Sequence, residues 1–127
     1  MGLCRRKKER DFMKEHKIQD EIRLELSKHG IVLRLNSGQF WSGRRVWSRE
    51  YNQYVLANLR PVTGCPKGTS DLLFIGEDKV AFIECKNKDG RPSEEQLNFI
   101  EAVRSLGHRA GIARSPEDAV EIIKKEI

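Results

Sequence analysis

Residues 72–75 and 80–86 form two short runs rich in apolar and β-branched side chains, separated only by Gly76-Glu77-Asp78-Lys79. Runs of this length on either side of a turn signal predict a β-hairpin. A hairpin also fixes a register. With the turn symmetric about Glu77 and Asp78, Asp71 falls directly opposite Glu84. Strand side chains alternate between faces, so Lys86 shares the face of Glu84 while Cys85 points into the core.

Two carboxylates opposed across a ladder sit about 5 Å apart at Cβ, a like-charge placement that costs stability unless a proton or cation is shared between them. A divalent metal ion answers that cost. Oxygen-only ligands suit Mg²⁺, which takes one or two carboxylates and keeps waters and substrate phosphate in its remaining positions. The main-chain carbonyl of Cys85 is a further candidate ligand. Lys86 flanks the same spot, where an ammonium stabilises charge on a phosphoryl transition state or orients the attacking water. The plain alternative for Glu84 and Lys86 is a solvated, charged strand end. Against it stands Asp71 at the opposite position, with Gly68 just upstream, where a missing side chain lets backbone approach a substrate closely.

Ahead of this hairpin, Phe12, Ile18, Ile22 and Leu26 recur at helical spacing over residues 11–29, and Gly30 supplies the stop. Glu15 falls on the same stripe, with Gln19 one turn on. Either Glu15 is a buried acid that needs the metal or Lys86 as partner, or the helix begins near Ile18 and leaves it solvated. Residues 31–35 read as a strand, Asn36-Ser37-Gly38 as a turn, 39–54 as extended or hairpin structure, and 61–70 as a loop. Downstream, Ser93 and Gln96 form a capping-box pattern for a helix with the stripe Leu97, Ile100, Val103 and Leu106, closed by Gly107. The capping box accounts for Gln96 without any site role. Residues 109–113 form a last strand, and Ser115-Pro116-Glu117-Asp118 opens a last helix through Ala119, Val120 and Ile123. The resulting α-β-(β)-β-β-α-β-α order implies an α/β fold with a mixed sheet flanked by helices.

At 127 residues such a chain closes one core rather than two. Its net charge of +5 is unevenly distributed: +3 over residues 1–33, +5 over 34–68 and −3 over 69–127. The middle segment carries five of the nine aromatics (Phe40, Trp41, Trp47, Tyr51, Tyr54) among Arg34, Arg44, Arg45, Arg49 and Arg60, with Glu50 its only acid. Arginine forks match phosphate oxygens and flat rings stack on bases, so the mixture suits a nucleic-acid surface. An ordinary hairpin with cross-strand aromatic pairs is the alternative.

Other chemistries find no support. Cys4, Cys65 and Cys85 are widely spaced and form no CxxC or Cys/His pattern, and His16, His29 and His108 share no ligand spacing. Residues 64–70 have the composition of a phosphate loop without its Gly-Lys-Ser/Thr ending, so no nucleotide cofactor is expected. No apolar run approaches the ~20 residues of a spanning helix. No signal-peptide stretch follows the basic cluster Arg5, Arg6, Lys7 and Lys8, so a cytoplasmic chain with a flexible basic segment over residues 1–10 is expected.

Taken in order, Glu15-x-x-Ile18-Gln19, Arg34-Leu35-Asn36-Ser37-Gly38, Gly68-Thr69-Ser70-Asp71, Glu84-Cys85-Lys86 and Gly90-Arg91-Pro92-Ser93-x-x-Gln96 resemble the VRR-NUC domain, the virus-type replication-repair nuclease, within the PD-(D/E)xK superfamily. Ser70 stands where the superfamily name expects proline. The resemblance implies one nuclease domain over residues 11–127 with a restriction-endonuclease-like αβββαβ core. It implies Mg²⁺ or Mn²⁺ as cofactor, Asp71 and Glu84 as ligands, Lys86 as catalytic lysine, Glu15 as the first-helix acid completing the site and a further candidate metal ligand, and Gln96 as a lining residue. Stand-alone members resemble Holliday-junction resolvases and form homodimers, which implies branched DNA as substrate in a bacterial or phage-infected cell. The residues expected on DNA are Arg34, Asn36, Ser37, Arg44, Arg45, Arg49, Trp41, Trp47 and Lys67. A non-cleaving DNA-binding module of the same fold is the alternative function.

Overall fold

A computed structural model describes residues 2–126, with side chains from Lys14 onward. Its elements are α1 (Gly2–Leu26), β1 (Ile31–Arg34), β2 (Gln39–Ser48), β3 (Gln53–Thr63), β4 (Leu72–Gly76), β5 (Lys79–Cys85), α2 (Glu94–Ser105), β6 (Arg109–Ala113) and α3 (Pro116–Lys124). β1, β4, β5 and β6 form one mixed sheet in that order, antiparallel except for the parallel β5–β6 pair. β2 and β3 form a separate two-stranded sheet. Among the described residues no helix is long and apolar enough to cross a membrane.

The central hairpin has the predicted register, running from Leu72 opposite Ile83 to Gly76 opposite Lys79. Asp78 takes the left-handed conformation (φ 55°) that closes the two-residue turn. One face of the sheet packs on α1 and α3 through Ile22, Leu26, Leu72, Phe74, Ala81, Ile83, Cys85, Ala113, Ala119 and Ile123. The other face packs on α2 through Ile100, Val103 and Ala110. Each large apolar side chain removed from water here contributes about 1.5–3 kcal/mol.

The helices depart from the sequence expectation in detail. α1 begins at Gly2, ahead of the expected start at Asp11, and ends at Leu26, after which Ser27, Lys28 and His29 form a hydrogen-bonded turn. The side chains of Arg5, Arg6, Lys7, Lys8 and Phe12 lie outside the described residues. On α2, Leu97 and Leu106 were expected in the stripe but are 48% and 75% exposed. Phe99 packs against the sheet instead, its ring meeting Phe82 edge-on at 5.3 Å. The expected loop over 61–70 is shortened, because β3 continues to Thr63.

Strands β2 and β3 pair only with each other, and most of their side chains are exposed. This arm carries a bulge in which Gly43 faces both Asn58 and Leu59, with Asn58 at φ 54°. A Cβ on Gly43 would lie 2.8 Å from the Ala57 carbonyl oxygen, so the ribbon closes here only around a glycine. Backbone hydrogen bonds fix its root: Gly64 N–H donates to Gly38 O (2.8 Å), Gly38 N–H to Cys65 O (3.0 Å) and Cys65 N–H to Asn36 O (2.8 Å).

Candidate active site

The site is built where the β4–β5 hairpin opens toward its strand ends. Extending the observed register by one residue sets Asp71 across from Glu84. Asp71 is anchored twice: its carbonyl accepts from Leu35 N–H at 2.8 Å, and its Oδ2 accepts from Cys85 N–H at 2.9 Å. Glu84 points to the α2 side of the sheet with only 1% of its surface exposed. There Gln96 Nε2 donates to Glu84 Oε1 at 2.9 Å. The same Gln96 closes the capping box of α2, its Oε1 accepting from Ser93 N–H at 2.8 Å.

Lys86 completes the cluster from the strand end. Its Nζ lies 3.7 Å from Glu84 Oε1 and 3.7 Å from Glu15 Oε1, and its side chain is mostly buried. Glu15 therefore reaches the site from α1 as an ion-pair partner of the lysine. The helix runs through Glu15 rather than starting near Ile18, but the Glu15 side chain is 38% exposed rather than buried, and the contact it makes is with Lys86.

Glu84 Oε2 is buried without a hydrogen-bond donor. Burial first, and then the Asp71 carboxylate, push the Glu84 carboxyl up to about 8, against a smaller opposing effect of Lys86. Two facing carboxylates are both acceptors, so the pair is balanced only by a shared proton or by a cation. The donors at hand are hard oxygens: Asp71, Glu84 and the Cys85 carbonyl. Such oxygens suit Mg²⁺ or Mn²⁺, which need only one or two carboxylates; among the described residues no group of three or more His, Cys, Asp or Glu side chains is gathered that could hold a metal ion. Cys85 is buried, and burial ahead of the neighbouring carboxylates pushes its thiol far up, which leaves it protonated and inert.

One contributor escaped the sequence reading. Arg114 Nη1 donates to the carbonyls of Asn87 and Gly90, both at 2.6 Å, and so clamps the turn that follows Lys86. Only its place after an expected strand hinted at this. Ser70, the residue before Asp71, is 1% exposed with no hydrogen-bond partner for its hydroxyl.

Of the residues expected on nucleic acid, Arg34 at the end of β1 and Asn36 and Ser37 between β1 and the arm are exposed. Trp41, Arg44, Arg45 and Trp47 lie along β2, and Arg49 sits in the tip turn; all five are exposed. Lys67 is exposed and pairs with Glu95 at 3.5 Å. None of them enters the carboxylate cluster.

Residues 13–117, a span that takes in Glu15, Asp71, Glu84, Lys86 and Gln96, match the VRR-NUC domain. No curated protein matches the chain. The protein belongs to the VRR-NUC domain family and is of nuclease type.

Proposed function

We propose that the protein is a metal-dependent endonuclease that hydrolyses DNA phosphodiesters in phage or bacterial replication and repair. The observation that carries this reading is the buried, donorless oxygen of Glu84 beside Asp71. Asp71, Glu84 and the Cys85 carbonyl would hold one or two Mg²⁺ or Mn²⁺ ions. When bound, such an ion supplies Lewis-acid charge and a more acidic water.

The chain's own groups do the rest. Gln96 fixes the Glu84 carboxylate through Oε1, and the Cys85 amide fixes Asp71 through Oδ2. Lys86 directs its ammonium to the non-bridging phosphate oxygens, where negative charge grows in the transition state. Glu15 steadies that ammonium by the ion pair at 3.7 Å. The arginines of the arm hold the phosphate backbone of a branched DNA substrate. A homodimer would bring two such sites to one junction.

The test incubates the full chain with labelled four-way and linear DNA in Mg²⁺, Mn²⁺ or EDTA, alongside Glu84→Ala and Lys86→Ala. Cleavage by the unmodified chain alone, and only with metal, is the expected result. Cleavage that survives Glu84→Ala overturns the site. Metal-independent binding with no cleavage under any condition identifies a DNA-binding module instead.

A further inference from the structure

The arm has two chemically different faces. Alternation along β2 puts Trp41, Gly43, Arg45 and Trp47 on one side, and the β2–β3 register adds Tyr54 and Leu56 opposite Trp47 and Arg45. Leu59 joins them, since a Cβ on Gly43 would touch its Cδ2. Trp41, Trp47, Tyr54, Leu56 and Leu59 are each 52–59% exposed. Trp47 meets Tyr54 edge-on at 5.1 Å, and the Arg45 guanidinium lies 3.9 Å above the Tyr54 ring. The other side carries Ser42 and Arg44 from β2 with Arg60 opposite Ser42. The bulge opens a cleft lined by Ser42, Arg44 and Arg60 and, from the bulge itself, by Gly43, Asn58 and Leu59.

A fully paired duplex offers phosphates and groove edges but hides the flat faces of its bases in the stack. It therefore has a partner for Arg44 and Arg60 and none for the aromatic side. Unpaired bases supply that partner. Trp41 and Trp47 are six residues apart, roughly 20 Å along the strand, which is room for several nucleotides. Charge argues against a second copy of the chain on this face. Residues 39–63 carry Arg44, Arg45, Arg49 and Arg60 against the single acid Glu50, so two arms repel each other and attract a polyanion. The arm also leaves the body beside the site, since Leu35 donates to the Asp71 carbonyl and Cys65 to Asn36.

We infer that the β2–β3 arm selects DNA in which single strand meets duplex, its Trp41–Trp47–Tyr54 face stacking on unpaired bases while Arg44 and Arg60 on the opposite face hold phosphates. The inference rests on the nuclease reading for its substrate, but its test uses binding without metal, so each can fail alone. Anisotropy of the full chain in EDTA compares a labelled duplex bearing single-stranded tails with a fully paired duplex of equal length.

The unmodified chain is expected to prefer the tailed DNA about tenfold or more. Trp41→Ala/Trp47→Ala, with folding checked by circular dichroism, lowers affinity for tailed DNA about tenfold more than for duplex, and Trp→Phe at both positions restores the preference. Arg44→Ala/Arg60→Ala weakens both substrates by similar factors and flattens the salt dependence. No preference in the unmodified chain, or a preference that survives loss of both tryptophans, overturns the inference. So does an oligomer dissociated by the tryptophan variant with DNA binding unchanged, which would give the face to a second copy. Absence of cleavage with metal would overturn the nuclease reading and leave a positive binding result standing.

Discussion

Gln96 donates through Nε2 to Glu84 Oε1 at 2.9 Å while its own Oε1 accepts from the Ser93 amide at 2.8 Å, so one side chain starts a helix and positions a candidate metal ligand. The two roles separate by substitution. Ser93→Ala removes the cap alone and should cost about 1 kcal/mol. Gln96→Ala should cost a similar amount and, in addition, lower cleavage at least tenfold at a temperature where both variants are folded. Equal cleavage by the two variants would reduce Gln96 to a capping residue.

Glu84 gives the fold a pH dependence. Its carboxyl is pushed from 4.5 up to about 8, so between those values the folded chain holds a proton that the unfolded chain releases. The contribution is fully present below about pH 4.5 and is lost as pH rises through 8. Glu84→Gln stays neutral throughout. Without metal it should melt above the unmodified chain at pH 9, by about 1–3 kcal/mol in stability, with the gap closing toward pH 4. Thermal melts in EDTA across this range check it, and a gap independent of pH would contradict it.

The arm should be dispensable for folding. Gly64 N–H already donates to Gly38 O at 2.8 Å, so residues 39–63 can be replaced by a short Gly-Ser turn that preserves this closure. The buried core contains no residue of β2 or β3. The shortened chain should unfold cooperatively with a melting temperature within a few degrees of the full chain, and should lose most of its DNA affinity. Calorimetry and anisotropy read the two outcomes.

Gly68 is fixed by its surroundings. It sits at φ +95°, and a Cβ there would lie 2.6 Å from the Glu95 carbonyl oxygen in the first turn of α2. Gly68→Ala should destabilise by about 1–3 kcal/mol through backbone strain, on top of the clash. Denaturant unfolding measures it.

The legible parts of this molecule are those governed by local rules. A two-residue turn between apolar runs fixed the pairing of Leu72 with Ile83, and from it the placement of Asp71 near Glu84. Strand alternation sent Cys85 into the core and Glu84 to the opposite face. The capping box at Ser93 and the N-cap at Ser115, with proline after it, gave two helix starts directly. What the sequence hid depends on tertiary contact. Phe99, rather than Leu97 or Leu106, packs on the sheet, where it meets Phe82, a residue on another element. Arg114 reaches back to Asn87 and Gly90, a contact with no local signature. The arm read only as extended, because a ribbon wet on both sides lacks the one-sided alternation that burial imposes on a strand.

The central claim is that Asp71 and Glu84 grip one divalent ion, and calorimetric titration of Mn²⁺ into the full chain at pH 8 tests it most directly. Saturable binding by the unmodified protein, weakened at least tenfold in both Asp71→Asn and Glu84→Gln, is the predicted result. Equal binding by all three proteins, or none by the unmodified one, would contradict it.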